Sequence, residues 1–328
     1  MKRIATFKIL AILLSASFIA TSCKNDGIDS EIAGPSAAAF KEMRAQSLQD
    51  LTQTKTFKAE DGVVFTSSKG AKVTIHPNCL RDAGNNLVSG DVSLSFVEIY
   101  DRGNMVMTNK PVMGKDASGN LLPLVTGGEY NIQVKQGDKV LKPGCTFTVT
   151  VPAANTGGLD MNMKLWKGNI NEAGDLVWDE VNPGGQGKEA GIGPNTETAR
   201  YDIWGDSFGW ANVDRFYNDA RPKTQIKVVV PAGYNKENSG VFLAYEGEPN
   251  VLALLDTYDS KDHFFSEHYG FVPVGLNLHI VFVSESNGAV AYVIKKVKIE
   301  DKGVITINKE EVQRDTKSNL VNRINNLK

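Results

Sequence analysis

From residue 56 onward the chain alternates apolar and polar residues with a period of two, the signature of strands with one face buried. Val92-Ser93-Leu94-Ser95-Phe96-Val97 shows it cleanly, and 62–66, 71–75, 129–134 and 146–151 follow the same rule. The links between these runs are short and rich in Asn, Asp and Gly: 82–85, 116–120, 171–175, 286–288 and 300–303. Such residues supply the positive φ and side-chain turn bonds that tight hairpins need. A second block of strands is expected over 225–230, 241–245, 278–283 and 289–299. Strands joined by such turns predict a mainly β chain of two or three antiparallel sandwich-like units rather than a parallel α/β sheet.

Helical spacing occurs at two places. Phe40, Met43, Ser47, Leu48 and Leu51 mark a short amphipathic helix over 36–52, with Pro35 suited to its first turn. Asn308 and Glu311 form a capping-box pattern, and Val312, Thr316, Leu320, Ile324 and Leu327 then trace one face of a terminal amphipathic helix. The expected organisation is 1–22 as a leader, 23–55 as tether and short helix, and 56–155 as a first β unit. A middle β region over 156–232 and a β unit with its helix over 233–328 complete it. A Gly- and Pro-rich loop at 182–195 interrupts the middle region.

The leader has its own pattern. Lys2, Arg3 and Lys8 precede an apolar run over 9–20, and Thr21-Ser22 lead into Cys23. At 12 residues the run falls short of the roughly 20 that a membrane span requires. A charged start, a short apolar stretch and small residues before a cysteine is the arrangement of a bacterial lipoprotein signal. Cys23 would receive diacylglycerol and, after cleavage, further acylation such as palmitate. Two or more chains anchor a protein stably to a membrane. Cleavage would leave residues 23–328. Removing three of the 36 basic residues leaves 33 against 38 acidic ones. No basic run accompanies that balance, so nucleic acid is not an expected partner. The expected partners are a membrane, through the lipid anchor, and other envelope proteins, with a glycan as an alternative; no cofactor is expected.

Cys79 and Cys145 remain once Cys23 is acylated. An exported chain allows them to pair, while their strand-like settings equally suit two small buried hydrophobes. Gly205-Asp206-Ser207-Phe208-Gly209 matches G-x-S-x-G, a pattern with a mechanism only on a strand–elbow–helix turn. The β-rich setting favours a plain glycine-rich turn, although His263, His268 or His279 follows as a formal base for Ser207. Asp256, Asp259, Asp262, His263, Glu267 and His268 form the densest set of potential metal ligands. The two histidines are five apart, which fits no established motif, and Phe264, Phe265 and Tyr269 suit a packed surface loop. Trp166, Trp178 and Trp204 are candidates for stacking on sugars, with core packing as the default.

Three stretches resemble known proteins. Residues 62–97, with Val73-Thr74-Ile75-His76-Pro77-Asn78-Cys79-Leu80 and Gly90-Asp91-Val92-Ser93-Leu94, look like a ZU5-type β-sandwich segment, with His76 and Cys79 departing from its usual pattern. Lys24-Asn25-Asp26-Gly27-Ile28-Asp29 resembles the export signal of surface lipoproteins in Bacteroidota. Phe208-Gly209-Trp210-Ala211-Asn212-Val213-Asp214-Arg215-Phe216 resembles a GWxNxDRF segment of uncharacterised surface lipoproteins of that group. The resemblance implies a lipid-anchored outer-membrane protein exposed at the cell surface, in a family with no established enzymatic activity; it speaks to architecture and location more than to function. Within this segment Trp210, Asn212, Asp214 and Arg215 suit a structural motif: in the apolar setting of Trp210 and Phe216, Asp214 and Arg215 are expected as an ion pair that fixes a turn, with part of a recognition surface as the alternative.

Overall fold

The computed structural model describes residues 35–172, 174–181, 190–268 and 270–328. Cys23, the leader and the tether lie outside the described residues, as do Tyr269 and most of the 182–195 loop. The described chain is mainly β with three α-helices: α1 (Ala37–Leu51), α2 (Arg102–Thr108) and α3 (Lys317–Asn325).

The largest sheet runs in the order Gln53–Lys58, Asp91–Ile99, Leu121–Gln136, Gly209–Phe216, Lys164–Ile170, Leu176–Glu180, Met113–Lys115. The last of these also pairs with Leu121–Gln136, so the sheet curls back on itself. A second sheet orders Gly191–Asn195, Arg200–Gly205, Phe147–Pro152, Lys72–Ile75 and Val63–Thr66. The two face each other as a sandwich. Phe65 of the second meets Phe96 of the first at 5.7 Å between ring centroids, and Ile75, Val149 and Ile203 fill the space with Leu94, Ile132 and Val213. A third sheet joins Leu252–Leu254, Ser239–Tyr245, Asn277–Ser286, Ala289–Lys298 and Gln313–Asp315.

Hydrogen-bonded sheets run across both boundaries expected near 155 and 232. Gly209–Phe216 pairs with Leu121–Gln136, Arg200–Gly205 with Phe147–Pro152, and Lys227–Val229 with Val304–Thr306. Residues 33–328 cluster as one compact unit. The strands expected over 278–283 and 289–299 form the longest hairpin, closed by Asn287 (φ 53°) and Gly288 (φ 80°). Both residues adopt the left-handed backbone that a two-residue turn of this hand requires.

The helix ends differ in detail from expectation. Ser36, not Pro35, begins α1: its hydroxyl accepts from the Ala39 amide. The Asn308–Glu311 capping box does form, but it closes only the 3-10 turn Lys309–Glu311, after which the chain extends again as Gln313–Asp315. The terminal helix starts anew at Lys317 behind a Thr316 cap and buries Leu320 and Ile324.

A second core gathers the helices. Phe40 of α1, Met105 and Val106 of α2, and Leu320 and Ile324 of α3 pack with Trp166, Trp178 and Phe242. Gly103 of α2 lies so close to α3 that a Cβ there would sit 2.6 Å from the Val321 carbonyl oxygen. The buried Arg102 guanidinium donates to the carbonyls of Tyr245 (3.1 Å) and Leu327 (2.8 Å). Asn325 accepts from the Gly103 amide and donates to Asp101.

Candidate ligand-binding cavity

The structure separates most of the chemistry expected from the sequence. Ser207 lies exposed on the connection between Arg200–Gly205 and Gly209–Phe216, strands of two different sheets, so there is no strand–elbow–helix turn. Its hydroxyl meets Lys167 Nζ at 3.2 Å and donates to Asp206; no histidine is among these partners. The acidic and histidine residues of 256–268 do not converge either. Among the described residues no three His, Cys, Asp or Glu side chains come together as a metal-binding group. Asp259 instead accepts from the backbone amides of Lys261 and Asp262. His263 meets the Tyr258 hydroxyl, Asp256 meets His268 at 3.3 Å, and Glu267 accepts from the Gly270 amide. Asp262 is exposed on the connection between the strands Thr257–Asp259 and Phe264–Ser266.

Trp166 and Trp178 are fully buried, with their indole N–H groups donating to the carbonyls of Asp214 and Pro111. Trp204, 39% exposed, is the one tryptophan that reaches solvent freely, and it lies over Gly191. Cys79 and Cys145 form a disulfide with their Cα atoms 5.3 Å apart.

The Gly209–Phe216 segment is a central strand. Arg215 pairs with Asp160 at 2.6 Å and not with Asp214, because neighbouring residues on a strand face opposite sides. Asp214 and Asn212 point into the core. Asn212 donates to Asp214 at 2.6 Å and accepts from the Thr126 hydroxyl at 2.8 Å. Opposite, Val213 faces both Gly127 and Gly128, a bulge that shifts the register between Asn212↔Glu129 and Asp214↔Thr126. Gly128 has φ 127° and leaves no room for a side chain beneath the Tyr100 ring. Glu129 beside this bulge is fully buried and neither of its carboxyl oxygens has a hydrogen-bond partner. Burial, and the neighbouring Asp214, push its carboxyl well above the ordinary range; burial does the same to Asp214.

A cavity of about 640 Å³ lies elsewhere. One wall is α1, another is the end of α2 with Asn109 and Lys110, and the floor is Ser239–Gly240 with Leu254-Leu255-Asp256. Asn109 caps α2 in the left-handed conformation (φ 53°), which turns the chain and places Lys110 on the lining, its ammonium 5.4 Å from the Trp210 ring centroid. Arg44 stands one helical turn from both Phe40 and Leu48, on the inward face of α1, with its guanidinium 4.1 Å from the Phe40 ring centroid. A Cβ on Gly240 would sit 2.7 Å from the Arg44 side chain, so glycine is what lets the guanidinium lie there.

The electrostatics of this cavity are unbalanced. Arg44 Nε is buried without a hydrogen-bond partner, and neither Arg44 nor Lys110 forms a salt bridge among the described residues. Burial lowers the Arg44 guanidinium to about 10, with Asp175 opposing. Burial also lowers Lys110; Glu129 and Asp175 oppose it and Arg44 adds to it. A Glu129 carboxyl held neutral by burial gives Lys110 little counter-charge. Two acceptors on the cavity lining, Asn109 Oδ1 and Asp256 Oδ1, are also buried and unpartnered. Buried polar atoms are almost always paired, so three such atoms around one cavity mark a place built to receive something.

Sequence reading missed Arg44, Lys110 and Asn109. The available signal was a charge at the i+4 position inside the apolar stripe of α1. A search of protein-family models and of curated proteins finds no match to this chain.

Proposed function

We propose that this chain is a lipid-anchored protein of a bacterial outer membrane, displayed at the cell surface, that works by binding within an envelope complex and not by catalysis. Anchoring rests on Cys23 directly behind a charged start and a short apolar leader. The binding role rests on one observation: the 640 Å³ cavity, of a size typical of ligand sites, is lined by Arg44, whose Nε is buried without a hydrogen-bond partner. Glycan binding, first expected through stacked tryptophans, is better supported at this cavity, since Trp166 and Trp178 are core residues. A hydrolase built on Ser207 or on a metal at 256–268 has no assembled set of groups behind it.

Growth with an alkyne-tagged palmitate tests the anchor. The wild type should be labelled and sediment with membranes, and Cys23→Ala should be unlabelled and released or mislocalised. A Cys23→Ala form that stayed membrane-bound and open to external protease would refute the reading.

A further inference from the structure

We propose that the cavity between α1 and the end of α2 binds a polyhydroxylated carboxylate of the sugar-acid type, its carboxylate held between Arg44 and Lys110 and its hydroxyls donating to Asn109 and Asp256. The inference rests on the binding role proposed above and names the ligand class.

Three observations lead to it. First, Arg44 Nε is buried without a hydrogen-bond partner, and a guanidinium is the group that a planar carboxylate satisfies with parallel hydrogen bonds. Second, the charges that line the cavity are four cations (Lys41, Arg44, Lys110, Lys236) and three carboxylates (Asp175, Glu237, Asp256). One excess positive charge matches a monoanion; a phosphate dianion would overshoot it and meet Asp256 and Asp175. Third, the two unpartnered acceptors call for donors, and an acid without hydroxyls offers none. Phe40 and Leu48 supply an apolar wall for the C–H face of a ring.

Titration of the full mature chain with glucuronate and galacturonate, followed calorimetrically, tests this beside glucose, acetate and glucose 6-phosphate. At least one sugar acid should saturate one site, with glucose and acetate at least tenfold weaker. Arg44→Gln and Lys110→Gln should each weaken that binding at least tenfold, and Arg44→Lys should recover part of it. The melting temperature of each variant separates loss of binding from loss of fold, and Lys110, half-buried on another element, keeps the test open if Arg44→Gln does not fold. No binding of either sugar acid, equal binding of glucose, or unchanged affinity in a folded Lys110→Gln overturns the inference. Binding of glucose 6-phosphate alone, lost in Lys110→Gln, overturns the ligand class while the cavity still stands as a binding site. No response to any of these probes leaves the cavity without support.

Discussion

Replacing Glu129 by Gln should make the protein more stable at neutral pH and change how its stability depends on pH. Glu129 is fully buried with both carboxyl oxygens unpartnered, and its folded pKa lies well above the usual 4.5. A carboxyl whose pKa is raised by folding binds more protons in the native chain than in the unfolded one. Stability therefore falls as pH rises above about 4.5, by about 1.4 kcal/mol per pH unit for as long as the native carboxyl stays protonated. Asp214 contributes in the same direction, starting from its ordinary 3.8. The two together give a wild-type slope of about 2.7 kcal/mol per unit, and Gln, with the same shape and no titration, removes half of it. Carboxylates lowered by turn bonds, such as Asp82, Asp116 and Asp315, act oppositely, but their contribution is complete above about pH 5. Urea unfolding at half-unit steps from pH 5 upward reads the difference directly. If Glu129→Gln parallels the wild type across that range, Glu129 is ionised in the native chain and its assignment as a neutral buried acid is wrong.

Two further outcomes can be measured. Reducing the Cys79–Cys145 bond, or replacing both residues by Ser, frees a loop with a sequence separation of 66 and should cost about 4 kcal/mol, visible as a lower urea midpoint under reducing conditions; an unchanged midpoint would remove the disulfide from the account of stability. Gly128→Ala forces a side chain onto a φ of 127° beneath the Tyr100 ring and should cost more than about 2 kcal/mol, whereas Gly119→Ala, with φ 83° and open space around it, should cost less, as thermal unfolding would show.

What was legible in the sequence was local. The apolar spacing of Phe40, Met43, Ser47 and Leu48 located α1 to within a residue at each end. The Asn287-Gly288 turn located the longest hairpin. α2 went unseen because Arg102–Thr108 spans seven residues, six of them buried, and so shows no amphipathic period. The capping box at Asn308 was real, yet the same bonds close one turn as readily as a helix. Pairing across 155 and 232 was invisible because strand partners are chosen by faces that meet only in the fold. The cavity was hidden for the same reason: α1, the end of α2 and the strands near 240 and 255 are far apart in sequence. Metal ligands were overread, since these side chains, close in sequence along 256–268, are taken up by separate local partners such as turn amides and Tyr258.

The clasp of α2 by α3 has a consequence in time. Arg102 finds its carbonyl partner at Leu327, 225 residues later, and Gly103 and Asp101 find theirs at Asn325. A chain that emerges amino end first carries α2, with its buried Arg102, past more than two hundred residues before that guanidinium can be satisfied. Leaving it unsatisfied inside a closed core is costly, so the helical layer has to wait for the final segment. Such late closure slows folding and keeps the nascent chain loose through most of its synthesis. Were the chain exported as proposed, that delay would be an advantage: passage would come first, and the last few residues would complete the fold on the far side.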